Sequence, residues 1–155
     1  MLKPTNTVKR LQEYADLVFI PYVKDQLQHA QSLDIIWDDY ATNSLKATTR
    51  EKREHGVRQR VQSLTTVPKN WKEFLRADEN TKEIFSFLAQ QIPPVKFGDG
   101  KRVITTKGEQ VLCSPRQFDN SSLTPCNHME TDTRILVHAA GHKNIVILAF
   151  MTNDP

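Results

Sequence analysis

The sequence predicts an α/β domain, on three observations. Helical and strand periodicities alternate along the chain in the order helix, strand, helices, hairpin, helix, strand. Two short apolar runs, Leu33 to Trp37 and Asn144 to Phe150, have the length and β-branched or aromatic content of buried strands. The 155 residues suffice for one core but hardly for two, which points to a single domain over 1–155.

Taken in order, Val8, Leu11, Ala15, Val18, Phe19, Tyr22, Val23 and Leu27 recur at three- and four-residue steps, predicting an amphipathic helix over 6–30. Pro21 lacks a backbone donor and is expected to kink that helix or split it. The strand at 33–37 ends at Asp38-Asp39, so it should deliver carboxylates to a sheet edge. Residues 44–61 hold few apolar side chains and many charges, as an exposed helix or a loop would.

Pro68 ahead of Trp71, Phe74 and Leu75 predicts a short helix entered through proline. Asn80 and Glu83 have capping-box spacing before the stripe Ile84, Phe85, Leu88 and Ile92, which Pro93-Pro94 stops. Two strand-like runs, Val103 to Thr106 and Gln110 to Cys113, flank Lys107-Gly108-Glu109, a hairpin with glycine available for positive φ. Prolines with Ser, Asn and Asp mark 114–127 as a surface loop. A short helix from about Met129 to Ala140 and the strand 144–150 complete the order.

Composition narrows the function classes. The chain is 38% hydrophobic and 25% charged, which argues against global disorder. No run approaches the roughly 20 apolar residues of a membrane span, and residues 1–10 lack a signal-peptide core, so an intracellular, nuclear or cytoplasmic protein without membrane contact is expected. Two cysteines, Cys113 and Cys126, are expected to be thiols. The net charge of +3 matters less than its distribution. Lys46, Arg50, Lys52, Arg53, Arg58 and Arg60 crowd into a basic segment, 46–60, tempered by Glu51 and Glu54. Such a run can neutralise phosphates by counterion release, or it can be a solvated helix face with Glu/Arg pairs.

The acids Asp38, Asp39, Glu130, Asp132 and Asp154 each fall at a predicted strand end or helix start. Those positions converge at the carboxyl edge of a parallel sheet, where α/β folds build their sites. Hard cations such as Mg²⁺ prefer carboxylate oxygens, and two ions about 4 Å apart can drive phosphodiester cleavage. Ordinary helix capping accounts for the same acids, and spacing by itself favours it.

Particular stretches add a resemblance. They are Asp34-Ile35-Ile36-Trp37-Asp38-Asp39-Tyr40, Ser44 to Arg53, Pro68 to Arg76, and Pro125-Cys126-Asn127-His128-Met129-Glu130-Thr131-Asp132-Thr133-Arg134 with the following Ile135 to Ala139. Together they resemble a family of animal proteins with a PIN-like domain related to flap-endonuclease-type nucleases. The resemblance implies a partial three-layer PIN-like fold with a short parallel sheet, flanking helices and a small hairpin.

It further implies metal ligands, and hence catalytic residues, at Asp38, Glu130, Asp132 and Asp154, with Mg²⁺ or Mn²⁺ as cofactor and DNA or RNA as partner. Where the family motif reads His-Glu-Glu-Ala-Asp-Thr-Arg, this chain has Met129 for one acid. An upstream Asp-bearing strand and a second downstream aspartate of the family pattern have no counterpart, and His138 to His142 joins helix to strand more tightly. The expectation is therefore a truncated, incomplete PIN-like domain: a nuclease-like remnant, inactive alone. The alternative is a non-catalytic nucleic-acid-binding or protein-interaction module. The oligomeric state is left open.

Other constellations are weaker. Cys126, His128, His138 and His142 are zinc-ligand types, but the gap between His128 and His138 is not a usual finger spacing. Trp37 and Trp71 fall in apolar patterns and read as core. Neither cysteine has a His partner suited to nucleophilic catalysis.

Overall fold

The first helix begins later than its periodicity suggests. In the computed structural model, which describes residues 1–37, 57–116, 135 and 145–150, residues 5–8 form a turn, with the Val8 N–H on the Thr5 carbonyl at 3.1 Å. Arg10 then makes an antiparallel bridge to Thr66 before α1 (Leu11–Tyr14) starts. Glu13 accepts from the N–H groups of Lys9 and Arg10, satisfying donors that a helix start leaves open.

Pro21 does not split the helix. α1 runs into a π turn, Ala15–Phe19, then α2 (Ile20–Gln26) and a 3-10 turn, Leu27–His29. The Ile20 N–H reaches back five residues to the Ala15 carbonyl. Proline sits at the first turn after this widening, where a missing donor and a bulky ring cost least.

The sheet has the order β3-β2-β1-β4, with β1 (Ser32–Trp37), β2 (Arg102–Lys107), β3 (Gln110–Ser114) and β4 (Ile145–Phe150). β1 pairs in parallel with both β2 and β4, while β3 returns antiparallel from β2. The hairpin forms as expected, with Gly108 at φ +57, a conformation that disfavours a Cβ. The chain is thus α/β, built on a mixed sheet with helices packed on it.

Every residue of β1 is buried, so both faces of the central strand are shut off from water. Leu33, Ile35 and Trp37 point to one face and join Leu11, Tyr14, Phe19, Val23 and Leu27 from the first helices in a single core. α3 (Trp71–Phe74) and α4 (Asp78–Gln90) add Trp71, Phe74, Ile84, Phe85, Leu88 and Ala89 to it. Val146, Leu148 and Phe150 of β4 pack on the same cluster.

Two helix starts differ from the predicted chemistry. Asn70, not Pro68, caps α3, its side-chain oxygen accepting from the Glu73 N–H at 3.2 Å. α4 begins at Asp78, so Asn80 lies inside it, fully buried, and is no cap. Its amide instead donates to the carbonyls of Val57 (2.9 Å) and Phe74 (3.0 Å).

Candidate functional site

The register of the sheet positions the edge at which the predicted acids were expected. β1 and β4 stay paired from Ser32↔Ile145 to Trp37↔Phe150, so their carboxyl ends lie side by side. Trp37 pins that edge. Its ring stacks on Phe150 (centroids 4.8 Å apart, 21° between planes) and leans on Phe85 and Phe19. Its indole N–H donates to the Thr105 hydroxyl at 2.8 Å, and its backbone N–H to the Thr106 hydroxyl at 3.2 Å, tying β1 to β2.

The predicted ligands Asp38, Glu130, Asp132 and Asp154, together with Asp39 and Met129, lie outside the described residues. So do Cys126, His128, His138 and His142. Among the described residues no group of three or more His, Cys, Asp or Glu is arranged to hold a metal ion. No described helix is long and apolar enough to cross a membrane.

Of the basic segment, Lys46, Arg50, Lys52 and Arg53 lie outside the described residues, whereas Arg58 and Arg60 are described and exposed. Arg58 is engaged within the molecule. Its guanidinium donates to Glu79 (Nε to Oε2, 2.7 Å), to Glu83, to the Asn80 side-chain oxygen (3.0 Å) and to the Gln59 carbonyl (2.8 Å). The hydrogen bond to Glu83 is the main reason the guanidinium pKa is raised above its ordinary value. Glu83 in turn lies below the ordinary carboxylate range, chiefly because the Val61 N–H donates to it at 2.8 Å, with Arg58 adding to the effect.

At the opposite edge of the sheet is a polar arrangement absent from the sequence-based expectations. Asp34 is fully buried inside β1, and the Ser32 hydroxyl lies 3.4 Å from its Oδ1. Arg102 Nε donates to Ser32 Oγ at 3.0 Å, so β1 and β2 are joined by side chains as well as by their ladder. Lys101 donates to the carbonyls of Leu27 (2.9 Å) and Ala30 (2.7 Å), closing the end of the first helical stretch. A cavity of about 540 Å³ opens here between Ser32, Phe97, Gly98, Arg102 and Ser114. The signal that could have found this cluster is an aspartate inside an otherwise apolar strand, since a buried carboxylate requires partners. Comparisons with protein-family models, with curated proteins and with solved structures find no match to this chain.

Proposed function

We propose that this chain is a PIN-like, nuclease-derived domain whose acidic rim binds a divalent cation weakly and no longer completes two-metal phosphodiester hydrolysis. The observation that supports it is the parallel pairing of β1 and β4 up to Trp37↔Phe150. Asp38 follows Trp37 directly in the chain, and Asp154 follows Phe150 by four residues, at most about 14 Å of extended backbone. Both acids are thereby tethered to one sheet edge, the place where α/β folds assemble sites. Glu130 and Asp132 supply the remaining carboxylates in this reading, a donor set suited to Mg²⁺ or Mn²⁺.

Met129 stands where the resembled motif carries an acid, which lowers the negative charge that would hold two ions and activate a water. The bound cation would polarise a phosphate oxygen, while Lys46, Arg50, Lys52, Arg53 and Arg60 would meet the backbone of DNA or RNA. Arg58 is the exception within that segment, because Glu79 and Glu83 already occupy it.

Calorimetric titration with Mn²⁺, paired with cleavage assays on labelled single-stranded and flap substrates, tests the proposal. We expect weak cation binding that Asp38→Asn or Asp132→Asn abolishes, and no metal-dependent cleavage. Absence of cation binding, or binding that neither substitution alters, overturns it. Nucleic-acid binding that weakens with salt but ignores the cation would indicate a non-catalytic binding module instead.

A further inference from the structure

The cavity of about 540 Å³ at the amino ends of β1 and β2 faces away from the edge where Trp37 and Phe150 end their strands, and the proposed function makes no use of it. Ser32 of β1, Arg102 of β2 and Ser114 of β3 line one side of it, and the turn from Lys96 to Lys101 lines the other. Its lining is cationic: Lys96, Lys101 and Arg102 stand against Asp99 alone. Asp34 offsets part of the Arg102 charge by way of Ser32, but it does not line the cavity.

Lys101 is the informative cation. Its ammonium has three protons and meets two carbonyls, those of Leu27 and Ala30, and no carboxylate among the described residues pairs with it. Carbonyls at the end of a helical stretch carry only partial negative charge, so a partly buried full charge is left without a counter-ion. Lys96 does pair with Asp99 at 3.5 Å, but the two side chains are 86% and 99% exposed, a contact that water screens and a ligand can displace. Gly98 and Gly100 hold positive φ, +126 and +70, in a turn closed by the Lys101 N–H on the Gly98 carbonyl at 3.3 Å. The N–H groups of Gly98, Asp99 and Gly100 meet no acceptor among the described residues. The wall thus offers peptide donors, with no Cβ at two of the three positions to hold a ligand off.

We infer that this cavity binds a small phosphomonoester, its phosphate held by the Lys101 ammonium and the amides of Gly98 to Gly100. A phosphate group brings the missing negative charge and enough acceptor oxygens to meet several separate N–H donors at once. The cavity lies within the roughly 300–1,000 Å³ usual for small-molecule sites and far exceeds what a bare phosphate fills. Phe97 and Pro115 give the remaining space an apolar side for the group that carries the phosphate. None of these residues belongs to the proposed cation site, so either reading can fail without the other.

Calorimetry on the full chain with adenosine 5′-monophosphate, inorganic phosphate and adenosine tests it, with a chelator present so that no divalent cation contributes. Amide NMR shifts place the ligand. The monophosphate should bind once per chain, phosphate should bind more weakly and displace it, and adenosine should not bind. Shifts should centre on Ser32 and on Gly98 to Arg102, and Lys101→Met should weaken the monophosphate about tenfold or more. Phosphate bound while the monophosphate is refused, shifts centred elsewhere, or binding indifferent to Lys101→Met overturns the inference. So does the absence of any binding, which would leave Lys101 as a cap on the helical stretch and nothing more. The wild-type shift map keeps the test decisive if Lys101→Met does not fold.

Discussion

Tyr14 shows how one buried polar atom sets a limit on stability. Its ring is buried against Trp71, at 5.0 Å between centroids, and its hydroxyl donates to the Leu2 carbonyl at 2.8 Å. Burial raises the phenol's pKa well above its ordinary value, because a phenolate there would be stripped of water. The folded state therefore holds this proton more tightly than the unfolded chain does. Tyr14's contribution is intact below the unfolded value near pH 10 and is lost as pH rises beyond it. Tyr14→Phe should cost about 1 kcal/mol at neutral pH through the lost hydrogen bond, and should blunt alkaline denaturation in a pH-dependent urea melt. At this scale the sequence was partly legible. Tyr14 lies one residue off the Ala15 stripe, yet it is as buried as its neighbours. Asn80 and Glu83 have the spacing of a capping box, but that spacing cannot tell an N-cap from side chains that hold a distant segment. That distinction rests on residues 57–61, more than fifteen positions away in the chain, and local pattern carries no information about it.

The first helical stretch poses the question of how a proline survives inside regular structure. A proline in an unadapted helix interior costs about 3 kcal/mol, through a lost hydrogen bond and a clash with the preceding turn. Here the π turn at Ala15–Phe19 widens the helix just before Pro21 and shifts the bonding register. Because the backbone already accommodates the ring, Pro21→Ala should change stability by less than about 1 kcal/mol in chemical denaturation. A gain approaching the full interior penalty would mean that the turn does not relieve it. The strands and the hairpin were legible to within a residue or two, since β-branched runs and Gly108 are local signals. The start of the first helix was not, because residues 5–10 bond to one another and to Thr66 and Val67 rather than following their helical spacing. The predicted helix at 129–140 lies outside the described residues, apart from Ile135.

Across the whole molecule, Trp37 is where the layers meet: it touches α4 through Phe85, β4 through Phe150, β2 through Thr105 and the first helical stretch through Phe19. Trp37→Ala should cost about 3–5 kcal/mol, read as a lowered denaturation midpoint, because it empties a large volume and leaves the Thr105 hydroxyl without its donor. The overall α/β class could be read from the alternation of periodicities. Asp38, Glu130, Asp132 and Asp154 can be read from the sequence only as candidates, since which carboxylates meet depends on residues far apart in the chain. The two indoles of the chain also have different ring neighbours, Trp37 in the sheet against Phe150 and Phe85, and Trp71 at the start of α3 against Tyr14 and Phe74. Each can thus serve as a built-in optical gauge, and a chain keeping one emitter at a time would show whether sheet and helical layer melt together or in sequence.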